Sequence, residues 1–459
     1  MTTSATTRPS APGGRDEARL RASARRFWIL LLAAAAVLHA LLFWIDRVPS
    51  PRRLWGDEIM YRDLAARWAR GEAPEIDPLW PPFYVWFLGV FEFASDLAPL
   101  VIVCLQTALL VVAAWALCAL GESWTGSRAA GQWAAALFLL DPQVAAFGHY
   151  FWPEALHLAL FLLSLWLLDR HAERWPALLL CGVLLGVALL TKSLLLPFLP
   201  LLLAPLVSRR ERGRGLVRAA LVLVVAGLVV LPTVLDRGRR HGVYAVADSS
   251  RFNLWVGLKD RSRKSLVDEI VGDEYGRYRA SGATLQARNV LLGEQIAAFV
   301  RARGILAVLG DQLGKQYFRL FDKDSFFTAQ LPGGAIAAYG FGYASTPKPL
   351  ALALRTWSYV LYALVLVAAG VGLVGLGLRR PPWLWVGLWF VLGNLLLFLG
   401  LHVKSRYRVQ FLPFLDLYAG LVLSRLFVVR SRGPVSDAPR RSLALGLLVA
   451  GLLVFLAFA

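Results

Sequence analysis

Runs of about twenty apolar residues recur along this chain, separated by polar stretches in which arginine predominates. A helix of that length crosses ~30 Å of hydrocarbon. Such runs fall at 27–45, 98–120, 128–147, 151–169, 174–190, 192–208, 215–235, 352–378, 382–401, 405–429 and 441–459, which predicts eleven spanning helices. A further run, Phe83 to Ala94, is only about a dozen residues long and carries Glu92. It is too short to span and reads as a juxtamembrane helix on, or dipping into, the outer face. The expected fold class is an all-α polytopic membrane protein.

Composition agrees. Hydrophobic residues make up 58% of the chain and mean hydropathy is +0.57, too apolar for the soluble domains that 459 residues otherwise suggest. Lys+Arg outnumber Asp+Glu by 49 to 30, a net charge of +19. Because this excess alternates with spans, it reads as an orientation signal and not as affinity for nucleic acid. Cys104, Cys118 and Cys181 all fall inside apolar runs, which excludes a disulfide framework or a cysteine metal site.

Orientation follows from the basic clusters. Arg19, Arg21, Arg25 and Arg26 precede the first span without a clean cleavage site, so residues 1–26 are expected to form a disordered cytoplasmic tail before an uncleaved anchor. Arg170/Arg174, Arg209 to Arg218, Arg379/Arg380 and the Arg430 to Arg441 linker are expected on the same side. These placements agree with one another only if Phe83 to Ala94 does not cross. The organisation is then a seven-span module over 27–235 with a long external loop at 46–97, an external segment at 236–350 with an amphipathic helical pattern near 287–303, and four spans over 351–459.

Candidate chemistry gathers on the external side. The first loop holds Trp55-Gly56-Asp57-Glu58 and the turn Trp80-Pro81-Pro82. Two adjacent carboxylates beside hydrocarbon need work or partners. They can open a helix, take a proton from a hydroxyl nucleophile or hold a divalent cation. At other outer ends stand His149 with Glu154, and Lys192, whose plain role is a snorkelling cation. Lys404, Arg406, Tyr407 and Arg408 break the positive-inside pattern on the outer side and so need an anion, either lipid headgroups or a bound phosphate. Gly370, Gly372 and Gly375 spell a nucleotide-loop pattern inside an apolar run, with no preceding strand, and read with Gly182 and Gly186 as helix-packing contacts.

The order of these features resembles the GT-C integral-membrane glycosyltransferases, in particular the family 39 and protein O-mannosyltransferase-like group that includes the bacterial aminoarabinose transferases. The features are an acidic Asp57-Glu58 loop with a Pro-Pro exit, a juxtamembrane helix, seven leading spans, Phe252-Asn253-Leu254-Trp255-Val256-Gly257 opening the external segment, and a late Arg406-Tyr407-Arg408 before Pro413. The resemblance implies transfer of a sugar from a polyprenyl-phosphate donor to a lipid, glycan or protein acceptor, with inversion, at the outer face of a bacterial inner membrane. By the same resemblance Asp57 is the base or acceptor-orienting carboxylate, with Glu58 beside it. Lys404, Arg406, Tyr407 and Arg408 face the lipid phosphate, and His149, Glu154 and Lys192 line the substrate pocket. Some members hold a divalent metal, which here would be Mg or Mn at Asp57 and Glu154; others manage without. Aminoarabinose-type relatives carry Lys before the Pro-Pro pair, where this chain has Trp80, a residue able to stack on a sugar ring or anchor at the interface. A transporter or flippase for a lipid-linked saccharide would need ionisable residues near midspan, for which only His39, Asp141, His157 and Asp416 qualify. A polysaccharide polymerase or ligase would carry its key residues in a large late external loop.

Overall fold

The computed structural model describes residues 14–72, 74–207, 212–264, 269–282, 284–375, 382–428 and 440–459. Every named element among them is helical; the one extended contact is an isolated bridge between Arg53 and Gly342. Each expected apolar run coincides with helix. By length and composition, five helical stretches among the described residues can cross a membrane: 22–47, 83–125, 212–241, 348–374 and 382–400. Shorter apolar helices occupy 175–191, 193–207 and 443–458. The first helix begins at Gly14, inside the tail expected to be disordered, because the stretch after it is rich in Arg, Ala, Glu and Leu, all strong helix formers. Residues 1–13, Arg209, Arg210, Arg379, Arg380 and most of the 430–441 linker lie outside the described residues.

The 83–125 stretch is not one straight helix. Phe83–Phe91 passes through a 3-10 turn to Ala98–Thr125, and Ser95 within that turn has φ 51° and ψ −121°, which breaks the helical path. The Phe83–Phe91 helix buries Tyr84, Val85 and Leu88, while Val90 and Phe93 stay exposed. It is a separate element from the helix that follows, as its length predicts.

The long helices pack as a continuous series. Arg212–His241 meets Trp175–Thr191, which meets Glu154–His171, then Ala98–Thr125 and Arg128–Leu140. The C-terminal part joins there: Leu412–Val428 packs on Arg128–Leu140 and carries Lys348–Gly375, which carries Arg440–Phe458. Small residues permit these approaches. A Cβ on Gly131 would lie 2.2 Å from the Cys118 carbonyl oxygen, and one on Gly420 would lie 2.5 Å from that of Ala130. The discarded glycine pattern does pack helices, with Gly370 against Ala450 and Gly372 against Tyr418, as Gly182 and Gly186 do against Val225 and Val229. Aromatic contacts lock the two parts together: Trp124 stacks on Trp383 at 5.5 Å, and Phe390 sits 5.3 Å from Phe161 and 5.0 Å from Phe414. Arg218 pairs with Glu173, beside Arg174, so two of the basic clusters expected on one side share one end of the bundle.

The segment expected to be external is a set of helices, among them Ser250–Lys259, Glu269–Ala280 and Leu285–Arg303. They enclose a second apolar core of Phe252, Trp255, Val256, Tyr278, Leu285 and Leu292. Leu79 of the first loop is part of that core and Trp80 packs on it. Arg237, at the end of the Arg212–His241 helix, donates to the carbonyls of Pro78 at 3.0 Å and Trp80 at 2.7 Å, fixing the Trp-Pro-Pro turn between bundle and cap.

Candidate active site

Helix ends from across the sequence converge on one cavity of about 350 Å³. Gly56, with φ +62°, makes the turn that lets Asp57 open the Asp57–Ala69 helix. Glu154 opens Glu154–His171, Lys192 follows Trp175–Thr191, and Lys404, Arg406 and Tyr407 come from the short connection between Pro382–Gly400 and Leu412–Val428. All six line the cavity, together with Trp80, Tyr61, Asn253 and His402. One wall is apolar, formed by Leu194, Leu196, Pro197, Leu397, Phe398 and Leu401.

The charges inside are already paired. Arg406 binds Asp57, and its guanidinium lies 4.9 Å from the Trp152 ring centre and 5.5 Å from that of Phe326. Lys192 Nζ donates to Glu154 Oε1 at 3.0 Å, while Glu154 Oε2 is buried without a partner. Burial pushes the Asp57 carboxyl up, but Arg406, Lys404 and Lys192 outweigh it and hold it below its ordinary value. Among the described residues, Asp57 and Glu154 are the carboxylates lining the cavity, against three cations.

That donor set does not suit a divalent cation. Each carboxylate is taken by an Arg or Lys, a third cation stands beside them, and no group of three His, Cys, Asp or Glu with metal-binding geometry occurs among the described residues. Three cations against two carboxylates leave the cavity lining one positive charge in excess.

Three expected site residues lie elsewhere. Glu58 is fully buried and turned away from Asp57, accepting from Arg52 Nη1 and Nη2 at 2.8 Å each, from the Phe151 amide at 3.0 Å and from the Trp55 amide at 3.3 Å. Arg52 also donates to Asp46 at 2.7 Å and to the His149 carbonyl at 3.1 Å, between the rings of Tyr150 and Tyr343. Glu58 is therefore half of a clamp that joins the first helix, the Asp57 turn and the 149–151 turn. His149 is buried against His39, with their ring nitrogens 3.1 Å apart, and does not line the cavity. Arg408 points into the protein, where it donates to the Asp322 backbone carbonyl and to Gln143 Oε1 and lies 4.2 Å from the Tyr362 ring centre. Residues one or two positions apart on a helical turn point in different directions, so Glu58 does not share the cavity with Asp57, nor Arg408 with Arg406. Trp80 lines the cavity, as expected of a stacking residue, with its ring edge-on to Tyr275 at 5.5 Å.

Residues 80–235 match the family described as Dolichyl-phosphate-mannose-protein mannosyltransferase. The matched third of the chain runs from the Trp80 turn through Glu154 and Lys192, and it bears out the resemblance to the family 39-like GT-C group. No curated protein matches by sequence. Among solved structures, the Archaeoglobus fulgidus oligosaccharyltransferase aligns over 93% of this chain and 55% of its own in the apo form, at 13% identity and a TM-score of 0.47. Its complex with Zn and sulfate gives 93%, 51%, 15% and 0.48. ArnT from Cupriavidus metallidurans bound to undecaprenyl phosphate aligns over 93% and 77%, at 17% identity and 0.39. The chain thus spans about half the length of the oligosaccharyltransferase.

Proposed function

We propose that this protein is a membrane glycosyltransferase that moves a sugar from a polyprenyl-phosphate donor to an acceptor hydroxyl at the outer face of a bacterial inner membrane, with inversion. The observation that carries this reading is the single cavity uniting a carboxylate, three cations and an apolar wall. Each part answers a need of the reaction. The apolar wall suits the first units of a polyprenyl chain. Arg406, Lys404 and Lys192 suit the phosphate. Asp57 accepts the proton of the acceptor hydroxyl as that oxygen attacks the anomeric carbon. The bond between that carbon and the phosphate oxygen breaks from the opposite side, and both of its electrons leave with the phosphate. A phosphate monoester is a good leaving group, so the cations stabilise it and no general acid is needed. Glu154, whose second oxygen is unpartnered, suits a sugar hydroxyl.

The protein reconstituted in lipid nanodiscs, with a panel of undecaprenyl-phosphate sugars and envelope extracts as acceptors, should release undecaprenyl phosphate. Asp57→Asn should abolish release while the protein stays folded and inserted. Wild-type turnover in that variant overturns the assignment of the base, and no release from any donor by the wild type overturns the function.

A further inference from the structure

Behind the cationic side of the cavity, a buried polar knot ties the external segment to residues 401–404. Arg319 is fully buried, pairs with Asp260, and donates through Nε to the Val403 carbonyl at 2.9 Å. Lys315 donates to the Asp260 carbonyl, and Gln312 donates to that of Gly257 at 3.2 Å. Gly257 presses on the same stretch, since a Cβ there would lie 2.7 Å from the His402 amide nitrogen. That amide donates to the Asn253 carbonyl at 2.7 Å. The backbone of His402 is therefore held by the Phe252-to-Gly257 motif.

Its ring is held as well. His402 Nδ1 faces Arg319 Nη2 at 3.5 Å. A guanidinium only donates, so Nδ1 accepts and the ring proton resides on Nε2. Asp260 Oδ2 lies 3.8 Å from Nδ1, beyond hydrogen-bond reach, and is engaged by Arg319. Burial, then Arg319, Lys404, Arg406 and Lys315, push the imidazole well below its ordinary value, so the ring is neutral. His402 lines the cavity and is 3% exposed, yet Nε2 is buried with no partner. A native donor left in that state requires an explanation. Arg406 Nε is a second such donor and Glu154 Oε2 an unmet acceptor, so three residues of one cavity present the complement of phosphate oxygens beside a hydroxyl.

Position selects the phosphate as the partner of His402. The residue stands between Phe398 and Leu401 of the apolar wall on one side and Lys404 and Arg406 on the other, where a lipid chain gives way to its headgroup. We propose that His402 is a recognition residue whose Nε2–H donates to a phosphate oxygen of the polyprenyl-phosphate donor. The bond lets the site select a phosphate lipid by a directed hydrogen bond as well as by charge. This inference rests on the function proposed above.

The test measures binding of undecaprenyl phosphate, and separately of undecaprenol, to the full-length protein in nanodiscs. His402→Leu should weaken undecaprenyl phosphate about tenfold to a hundredfold, the usual worth of a hydrogen bond to a charged group. It should leave undecaprenol unchanged, and His402→Gln, which keeps an N–H, should recover most of the loss. Unchanged phosphate affinity in a folded His402→Leu protein, or an equal loss for undecaprenol, overturns the proposal. If the leucine variant does not fold, 15N-histidine spectra of the wild type decide. An Nε2 resonance that shifts with undecaprenyl phosphate and not with undecaprenol supports the bond, and one that shifts with neither refutes it. Failure of the wild type to bind undecaprenyl phosphate at all refutes the donor class instead.

Discussion

Replacing Glu58 with Gln separates two roles open to adjacent carboxylates. Glu58 accepts four hydrogen bonds, two of them from the Arg52 guanidinium at 2.8 Å. Glutamine keeps one oxygen and presents an NH₂ group in place of the other, so two of the four donors would then face a donor. A bond to a charged group is worth ~1.5–3 kcal/mol, and breaking one side of a buried ion pair costs roughly 3–5 kcal/mol. Arg52 retains Asp46 at 2.7 Å and the flanking tyrosine rings, which puts the expected loss near the lower end, about 3 kcal/mol. The assay is reversible unfolding of the detergent-solubilised protein in mixed micelles, paired with donor-dependent release of undecaprenyl phosphate. Glu58→Gln should shift the unfolding midpoint strongly and keep measurable turnover, with the loss falling in kcat as Asp57 drifts. An unshifted midpoint together with turnover as low as that of Asp57→Asn would show that Glu58 does the chemistry and that the clamp account is wrong.

Three further outcomes follow from the same geometry. Gly56→Ala has room for its Cβ, but an L-residue at φ +62° and ψ −133° costs about 1–3 kcal/mol, so the Asp57 turn should relax and kcat should fall about tenfold with donor binding retained; an unchanged kcat would separate the turn from the chemistry. The cavity does not suit a divalent ion, so EDTA should leave transfer unaltered, and loss with specific recovery by Mn or Mg would contradict the charge argument. The Asp57 carboxyl is held below its ordinary value, so its pairing with Arg406 contributes stability above the unfolded pKa near ~3.9 and loses it as pH falls through the lower folded value. The acid limb of kcat/KM for the donor, which reports the free enzyme, should therefore lie at lower pH than that of kcat, and coincident limbs would show that the donor leaves the pair undisturbed.

Much of the fold was legible because apolar runs and helix share one cause, the need to satisfy backbone groups within lipid. Every run became helix, and the short Phe83 run became its own element because Ser95 breaks the path. The site was legible only as a zone. Sidedness grouped Asp57, Glu154, Lys192 and Lys404 to Arg408, but it does not say which of two neighbouring side chains faces the cavity. Glu58 and Arg408 were assigned with their neighbours and point away. Arg319 carried no local signal, since its partner carbonyl on Val403 is 84 residues distant, whereas Arg52 stands six positions from both Asp46 and Glu58 and reads as one more basic residue of the loop. His402 stood beside the cationic motif, and the Phe252-to-Gly257 motif was noted for its resemblance alone. The Asn253 carbonyl and the close approach of Gly257 to His402 connect the two.

The ion pairs in the cavity bear on the order of events. A base paired to Arg406 is poorly basic, and a phosphate ligand paired to Asp57 is already engaged, so neither residue is ready to act while the two hold each other. A donor phosphodiester would bring one negative charge to a site where three cations exceed two carboxylates by one positive charge, and the departing phosphate monoester would carry a second. In a partly desolvated site the incoming charge would meet the one excess cation, so Arg406 could turn to phosphate without leaving the cavity with a net negative charge. As Arg406 turns to phosphate, Asp57 loses the contact that depresses it and becomes a better proton acceptor. On the function proposed above, the acceptor hydroxyl would thus be activated only where a donor is already bound. Under that proposal, the contact between Asp57 and Arg406, 349 positions later, would couple the two substrates.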